Sequence, residues 1–207
     1  MDYYSLTRNE MFKFIPDNTK ILLEIGCGAG NFGAFFKTKG MEVWGVEPNK
    51  ESAEKASKKL FKVLNRTFDS DIDLPLKYFD CLVFNDVLEH LYDPWECLSF
   101  AKKFLKNEDS KIVASVPNFR YWSNLYEIIV KKDFKYKDWG LLDYTHIRFF
   151  TKKTIEELFS KSGYEICIME GINPSQSLKF KVTNTILLNS IKDMRFQQYA
   201  VVAKCKE

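Results

Sequence analysis

Between Ile21 and Gly33 the chain reads ILLEIGCGAGNFG, an apolar run of strand length that carries Glu24 and then glycines at 26, 28 and 30. Glycines at that spacing allow a tight turn whose backbone can lie against a ligand before a helix begins. Such a turn after a first strand suits a nucleotide-like group. Its spacing is GxGxG, while Gly28, Gly30 and Gly33 also satisfy the dinucleotide pattern GxGxxG, so this stretch alone leaves the ligand open. A second acid, Glu47, closes the next strand-like run, MEVWGVEP, and a carboxylate at that tip can accept both hydroxyls of a ribose. The two histidines, His90 in NDVLEHL and His146 in DYTHIRFF, are the side chains that titrate near neutrality and could remove a proton from a substrate. His146 is the expected base, with Asp143 or Tyr144 orienting it; His90 is expected to shape the turn it opens.

These groups need a frame, and the chain supplies strands and helices in alternation. Strands are expected at 21–25, 42–47, 61–65, 79–85 and 111–116, with helices between them except at 68–78, which reads as a loop. Asn31 is the expected cap of the first of these helices and Gly40 its end. NKESAEKASKKL, residues 49–60, has good helix formers and acid-to-lysine spacings, and Pro94 suits a helix start. Strand and helix in alternation require a mostly parallel sheet covered on both faces, a doubly wound α/β domain. A loosely amphipathic helix is expected within residues 6–15, where Tyr3, Tyr4 and Arg8 could fold over the ligand as a lid. Later come a helix at 154–162 capped by Thr151, strands at 164–170 and 197–204, and a loop plus one helix between them. The last two strands suit an antiparallel edge.

Residues 118–150 break this rhythm. They hold ten rings, among them Tyr121, Trp122 and Tyr144, together with Asp143, His146 and Arg148. Such a segment can pack a flap onto the sheet, form a dimer contact, or wall an acceptor pocket. Tyr121, Trp122 and Tyr144 are the expected walls, and Arg148 could hold an anionic group or pair with an acid.

Composition narrows the classes of function. With 207 residues, 45% of them apolar and 29% charged, the chain suits one ordinary domain, residues 1–207, with 1–19 as its N-terminal element and 118–150 as an inserted cap. The net charge of +3 is slight and the basic residues form no block, which argues against a nucleic-acid partner. The polar start MDYYSLTRNE and the lack of an apolar run of about 18 residues argue against a leader or a membrane span, so a cytoplasmic protein is expected. Five cysteines without a CxxC pair read as buried free thiols, and with two histidines to complete it no metal site is expected.

Taken together, LEIGCGAG, VEP after the second strand, and FDCLVFNDVLEHL around the fourth resemble the successive motifs of class I S-adenosylmethionine-dependent methyltransferases. The resemblance runs from about residue 18 to residue 204. SVPNFRYW and GLLDYTHIRFFTKKTIEELFSKSGYEI are similar to a bacterial subgroup associated with surface polysaccharides, quinones or other small molecules. The resemblance implies a Rossmann-like, seven-stranded sheet in the order 3-2-1-4-5-7-6 with strand 7 antiparallel. It also implies S-adenosylmethionine as cofactor, S-adenosylhomocysteine as product and a small-molecule acceptor, most naturally a sugar-type hydroxyl. Cofactor contacts fall on Glu24, Gly26, Cys27, Gly28, Glu47 and Pro48, on Asp69 or Ser70 after the third strand, and on Asn85, Asp86, Val87 and His90. Alternatives are an aromatic or quinone-type acceptor, a cofactor-binding partner protein without catalysis, and an NAD-dependent dehydrogenase. A homodimer is compatible with all of them.

Overall fold

The computed structural model describes residues 7–206; Tyr3 and Tyr4, and any lid they form, lie outside them. Seven strands make one sheet in the order β3-β2-β1-β4-β5-β7-β6. They are β1 Ile21–Ile25, β2 Glu42–Val46, β3 Lys62–Leu64, β4 Cys81–Asn85, β5 Lys111–Pro117, β6 Tyr164–Pro174 and β7 Phe196–Cys205. The first five pair in parallel, and β7 enters antiparallel between β5 and β6.

The alternation of side chains explains why both faces are covered. Leu23, Ile25, Leu82, Phe84, Ile112 and Ala114 point to one face. There they meet Leu98 and Ala101 of helix α3 (Pro94–Ala101) and Ile155, Leu158 and Phe159 of α5 (Lys152–Lys161). Leu22, Val43, Cys81, Val83 and Val113 point the other way, onto Phe32 and Phe36 of α1 (Asn31–Thr38) and Ala56 of α2 (Lys50–Ser57). Met11 and Phe14 of the 3₁₀ turn Asn9–Phe14 complete that layer. Near-continuous apolar strands such as CLVF are the signature of a parallel sheet buried on both sides. Among the described residues no helix is long and apolar enough to cross a membrane.

Local chemistry sets most helix starts. Asn49 accepts from Ser52 N at 3.0 Å, Asp93 accepts from Glu96 N at 2.8 Å with Pro94 following, and Thr151 and Thr154 form a reciprocal capping box. Helix α1 differs from expectation. Gly30, at φ 74°, is its cap, while Asn31 lies inside the first turn and accepts a hydrogen bond from the Lys59 ammonium. A Cβ on Gly30 would come within 3.0 Å of Ala56, so this glycine serves close helix packing rather than contact with a ligand.

Other boundaries also moved. The N-terminal helix is a short 3₁₀ turn, and β6 runs on to Pro174 because β7 continues to pair with it as far as Phe196. Of the five thiols, Cys27 and Cys81 are buried, but Cys167 is exposed on the irregular edge strand. Residues 118–150 hold helix α4 (Trp122–Ile129) and then irregular chain; α6 (Leu178–Ile186) joins β6 to β7.

Candidate active site

In this strand order the connections diverge between β1 and β4, and open α/β sheets bind ligands at the carboxyl ends of strands beside such a switch point. A cleft of about 550 Å³ lies there. Its floor comes from the turns that follow β1, β2 and β4.

The glycine turn is held from below. Gly26 N and Cys27 N both donate to Val46 O, at 2.8 and 3.2 Å, while Gly26 and Gly28 take φ of 68° and 50°. A Cβ on Gly26 would sit 2.7 Å from Val87 Cγ2, so only glycine lets the turns after β1 and β4 close on each other. At the tip of β2, Glu47 is buried; one carboxylate oxygen accepts from Gly28 N and the other from Asn49 N, each at 2.9 Å. Asn65 donates to the Glu47 and Pro48 carbonyls and pins the tip. Each carboxylate oxygen therefore spends one acceptor position on the backbone and keeps another. That pattern fits two neighbouring hydroxyls.

Glu24 is buried under the same turn and accepts from Gly33 N at 3.2 Å. Burial pushes its carboxyl up to about 8 against the opposing effects of the Gly33 N–H and the Asn85 amide, with nearby Glu47 adding to the rise. At neutral pH it is a protonated acid. Beside it in the cleft wall, Asn85 turns its amide toward the Glu24 carboxyl without a hydrogen bond of ordinary geometry, and its amide oxygen is buried with no partner, a position open to a polar ligand. Glu24, Gly26, Cys27, Gly28, Glu47, Pro48, Asn85, Asp86, Val87 and His90 all line the cleft.

Several expected residues have other work. Asp86, at φ 54°, accepts from the Ser115 hydroxyl and from the Gln198 amide and pairs with the Arg8 guanidinium, so its carboxylate anchors the N-terminal segment. Asp69 and Ser70 do not line the cleft. Asp69 is exposed and held by the Thr67 hydroxyl, which keeps its carboxyl below the usual range, while Thr67 and Phe68 take the cleft position. The rings expected to wall an acceptor also turn elsewhere. Tyr121 precedes α4, Trp122 packs against Phe180 of α6 at 5.7 Å, and Tyr144 is 66% exposed and stacked on Tyr136. Arg148 donates to Tyr92 O and lies over the Tyr92 and Trp95 rings, which makes it a strap rather than an anion site. What residues 118–150 bring to the cleft is polar: Asp143, Thr145 and, at the rim, Asp138.

The two histidines take different positions. His90 lines the cleft, whereas His146 is buried behind it, the two rings meeting edge to face at 4.6 Å. His90 Nδ1 lies 3.1 Å from Thr145 O and His146 Nδ1 lies 3.1 Å from Leu141 O. A carbonyl can only accept, so both rings carry their proton on Nδ1 and a lone pair on Nε2. Burial holds both below the usual histidine range, and for His146 the neighbouring His90 adds to the effect. Glu89, between Leu88 and His90 on a 3₁₀ turn, was not among the expected site residues. It is 1% exposed, neither carboxylate oxygen has a hydrogen-bond partner, and one lies 3.9 Å from His146 Nε2. Its only signal in the sequence was an acid beside a histidine in a turn that has to bury itself.

The family described as "Methyltransferase domain" matches residues 3–167. An uncharacterized protein of Methanocaldococcus jannaschii is 30% identical over 145 residues, covering 69% of this chain and 63% of that protein, so the chain spans less than two thirds of that relative. An uncharacterized methyltransferase of Alkaliphilus oremlandii is 27% identical over 172 residues, 80% of this chain and 77% of its own. The crystal structure of an S-adenosylmethionine-dependent methyltransferase from Archaeoglobus fulgidus superposes with a TM-score of 0.69 at 24% identity, covering 94% of this chain and 91% of that one. With the sheet order and the carboxyl-end cleft in place, the chain belongs to the methyltransferase-domain family.

Proposed function

We propose that the chain transfers the methyl group of S-adenosylmethionine to a hydroxyl oxygen of a polar small molecule, of which a sugar-type metabolite is the nearest fit. The observation that carries this reading is the contrast within one cleft. One end offers Glu47 with spare acceptor positions, the glycine turn and the buried Asn85 amide oxygen; the other offers His90, Asp143 and Thr145. When bound, the cofactor supplies a methyl group already activated on a sulfonium. Glu47 would take its ribose hydroxyls, Asn85 a polar group nearby, and the backbone at Gly26 and Gly28 would lie against it.

At the acceptor end the chain has to orient an oxygen in line with the methyl and take up its proton. Asp143 accepts from the Thr145 N–H and hydroxyl through one oxygen, at 2.7 and 2.6 Å, so the acidic wall is rigid. His90, rather than His146, is the imidazole that meets the acceptor, and its Nε2 lone pair suits proton removal. An acidic wall disfavours phosphate-bearing acceptors, and the outward rings disfavour a quinone-type one.

Methyl transfer with labelled cofactor, screened against sugars, nucleotide sugars and quinone precursors, tests the acceptor. The expected product is a methyl ether of a sugar-type hydroxyl. Methylation of only the quinone precursors would replace that acceptor. Binding of S-adenosylhomocysteine without transfer to any of them would favour a cofactor-binding partner protein, and tight binding of NAD alone would overturn the reading.

A further inference from the structure

The Glu89 carboxylate, His90 and His146 each place one ligand atom within 4.8 Å of the other two. We propose that these three side chains bind one first-row divalent cation of the zinc, cobalt, iron or manganese group at the acceptor end of the cleft, with a hydroxyl oxygen of the acceptor as a further ligand.

Three observations converge on it. First, both histidines give their Nδ1 protons to backbone carbonyls, Thr145 O and Leu141 O. Metal-binding histidines are held in this way, because the carbonyl fixes the tautomer and leaves Nε2 as the donor. Second, Glu89 is almost wholly buried and neither of its oxygens has a hydrogen-bond partner. A bare carboxylate there has no hydrogen-bond partner, and a neutral acid has only the His146 Nε2 lone pair, at 3.9 Å and beyond hydrogen-bond reach, to receive its proton; a cation draws both groups onto one centre. Third, the trio is built by long-range contacts. Ile147 N and Arg148 N both donate to Glu89 O at 3.0 Å, and this strap presses His146 against the Leu88–His90 turn.

Two imidazoles and one carboxylate form a donor set for zinc and its first-row neighbours rather than for magnesium or calcium, and three protein ligands leave open positions. With metal–ligand bonds of about 2.0–2.2 Å, neighbouring ligands sit roughly 3.3 Å apart, so the side chains must close by up to about 1.5 Å. His90 belongs to both the trio and the cleft wall, so an acceptor in the cleft reaches the cation there. The role of the acceptor rests on the function proposed above; cation binding does not. With the cation in place His90 acts as a ligand instead of a base. The bound hydroxyl, made more acidic, releases its proton to solvent water. Its oxygen then forms the bond to the methyl carbon as the S–CH₃ bond breaks, and that electron pair stays on sulfur.

The test titrates chelator-treated full-length protein with Co²⁺ and follows visible d–d absorption, with Zn²⁺ as competitor. Calorimetry with S-adenosylhomocysteine runs in parallel. The expected result is a single Co²⁺ displaced by Zn²⁺, with affinity about tenfold or more lower in Glu89→Gln and His146→Gln. A Zn²⁺-dependent rise in Tm of the unaltered protein, absent in Glu89→Gln, is expected on the same grounds, and it reads the site even if a variant folds poorly. No Co²⁺ or Zn²⁺ binding at millimolar concentration by protein that binds S-adenosylhomocysteine overturns the cation site and leaves the methyl-transfer reading standing. Equal Co²⁺ binding in Glu89→Gln also overturns the site. Retained Co²⁺ binding with no affinity for S-adenosylhomocysteine would instead overturn the cofactor reading.

Discussion

The two ends of the cleft are built by different means. At the proposed cofactor end the parts arrive with the sheet: the glycine turn follows β1, Glu47 follows β2, Asn85 ends β4, and parallel register sets these ends side by side. Backbone amides of the neighbouring turn hold Glu47 in place. At the acceptor end nothing is local. Glu89 and His90 meet Thr145 and His146 through a strap more than fifty residues away in sequence, and the polarity of the wall depends on which side chains that strap turns inward. A site made from strand ends tolerates change in its surroundings, whereas one made by a strap is only as well placed as the strap.

That contrast makes separable predictions. The largest effect is expected at the acceptor end. His90→Ala should lower kcat by about 10²–10⁴, whether the imidazole serves as base or ligand, while calorimetry shows S-adenosylhomocysteine affinity unchanged. A matching loss of cofactor affinity would mean that the two ends are not separate.

Next comes the pH dependence of stability set by Glu24. Its folded carboxyl is raised to about 8 from an ordinary value of 4.5, so between these limits the folded chain keeps a proton that the unfolded chain has lost. Stability should therefore fall as pH rises through this window, by at most about 1.4 kcal/mol per pH unit from this group. Glu24→Gln should remove that slope relative to the unaltered protein in urea unfolding at several pH values. Parallel slopes would show that Glu24 is ionised in the fold.

Glu47→Ala should weaken S-adenosylhomocysteine by about 1–3 kcal/mol, because a charged acceptor is lost and the Gly28 and Asn49 amides lose their partner. Unchanged affinity would take Glu47 out of the site. The smallest effect is expected at Tyr144. Tyr144→Ala should change stability by no more than about 0.5 kcal/mol and leave the acceptor KM unaltered. A strongly raised KM would return the aromatic wall to the acceptor site.

How much of this was legible beforehand follows the same division. Strand alternation, the glycine turn and the acid after β2 are written in local spacing, and a parallel sheet brings the carboxyl ends of its strands to one edge. The sheet order came from resemblance to a family and agrees with the structure. Asp69 shows where local reading stops. An acid in the loop after β3 is an obvious candidate, yet Thr67 and Arg66 hold it outward and the cleft receives Phe68, which packs against Phe84 and Phe100. Asp86, expected as a cofactor contact, lines the cleft, but its pairing with Arg8 depends on where the N-terminal segment runs.

The amino-acid sequence by itself determined the α/β frame and the strand-end turns that line one side of the cleft, because periodic burial and glycine backbone freedom are properties of neighbouring residues. Only the tertiary structure decided the acceptor end: that His90 faces the cleft, that His146 stands behind it, and that Glu89 joins them. Burial and mutual distance belong to pairs of residues that are remote along the chain, and no spacing in the sequence encodes which side chain a distant strap will press inward.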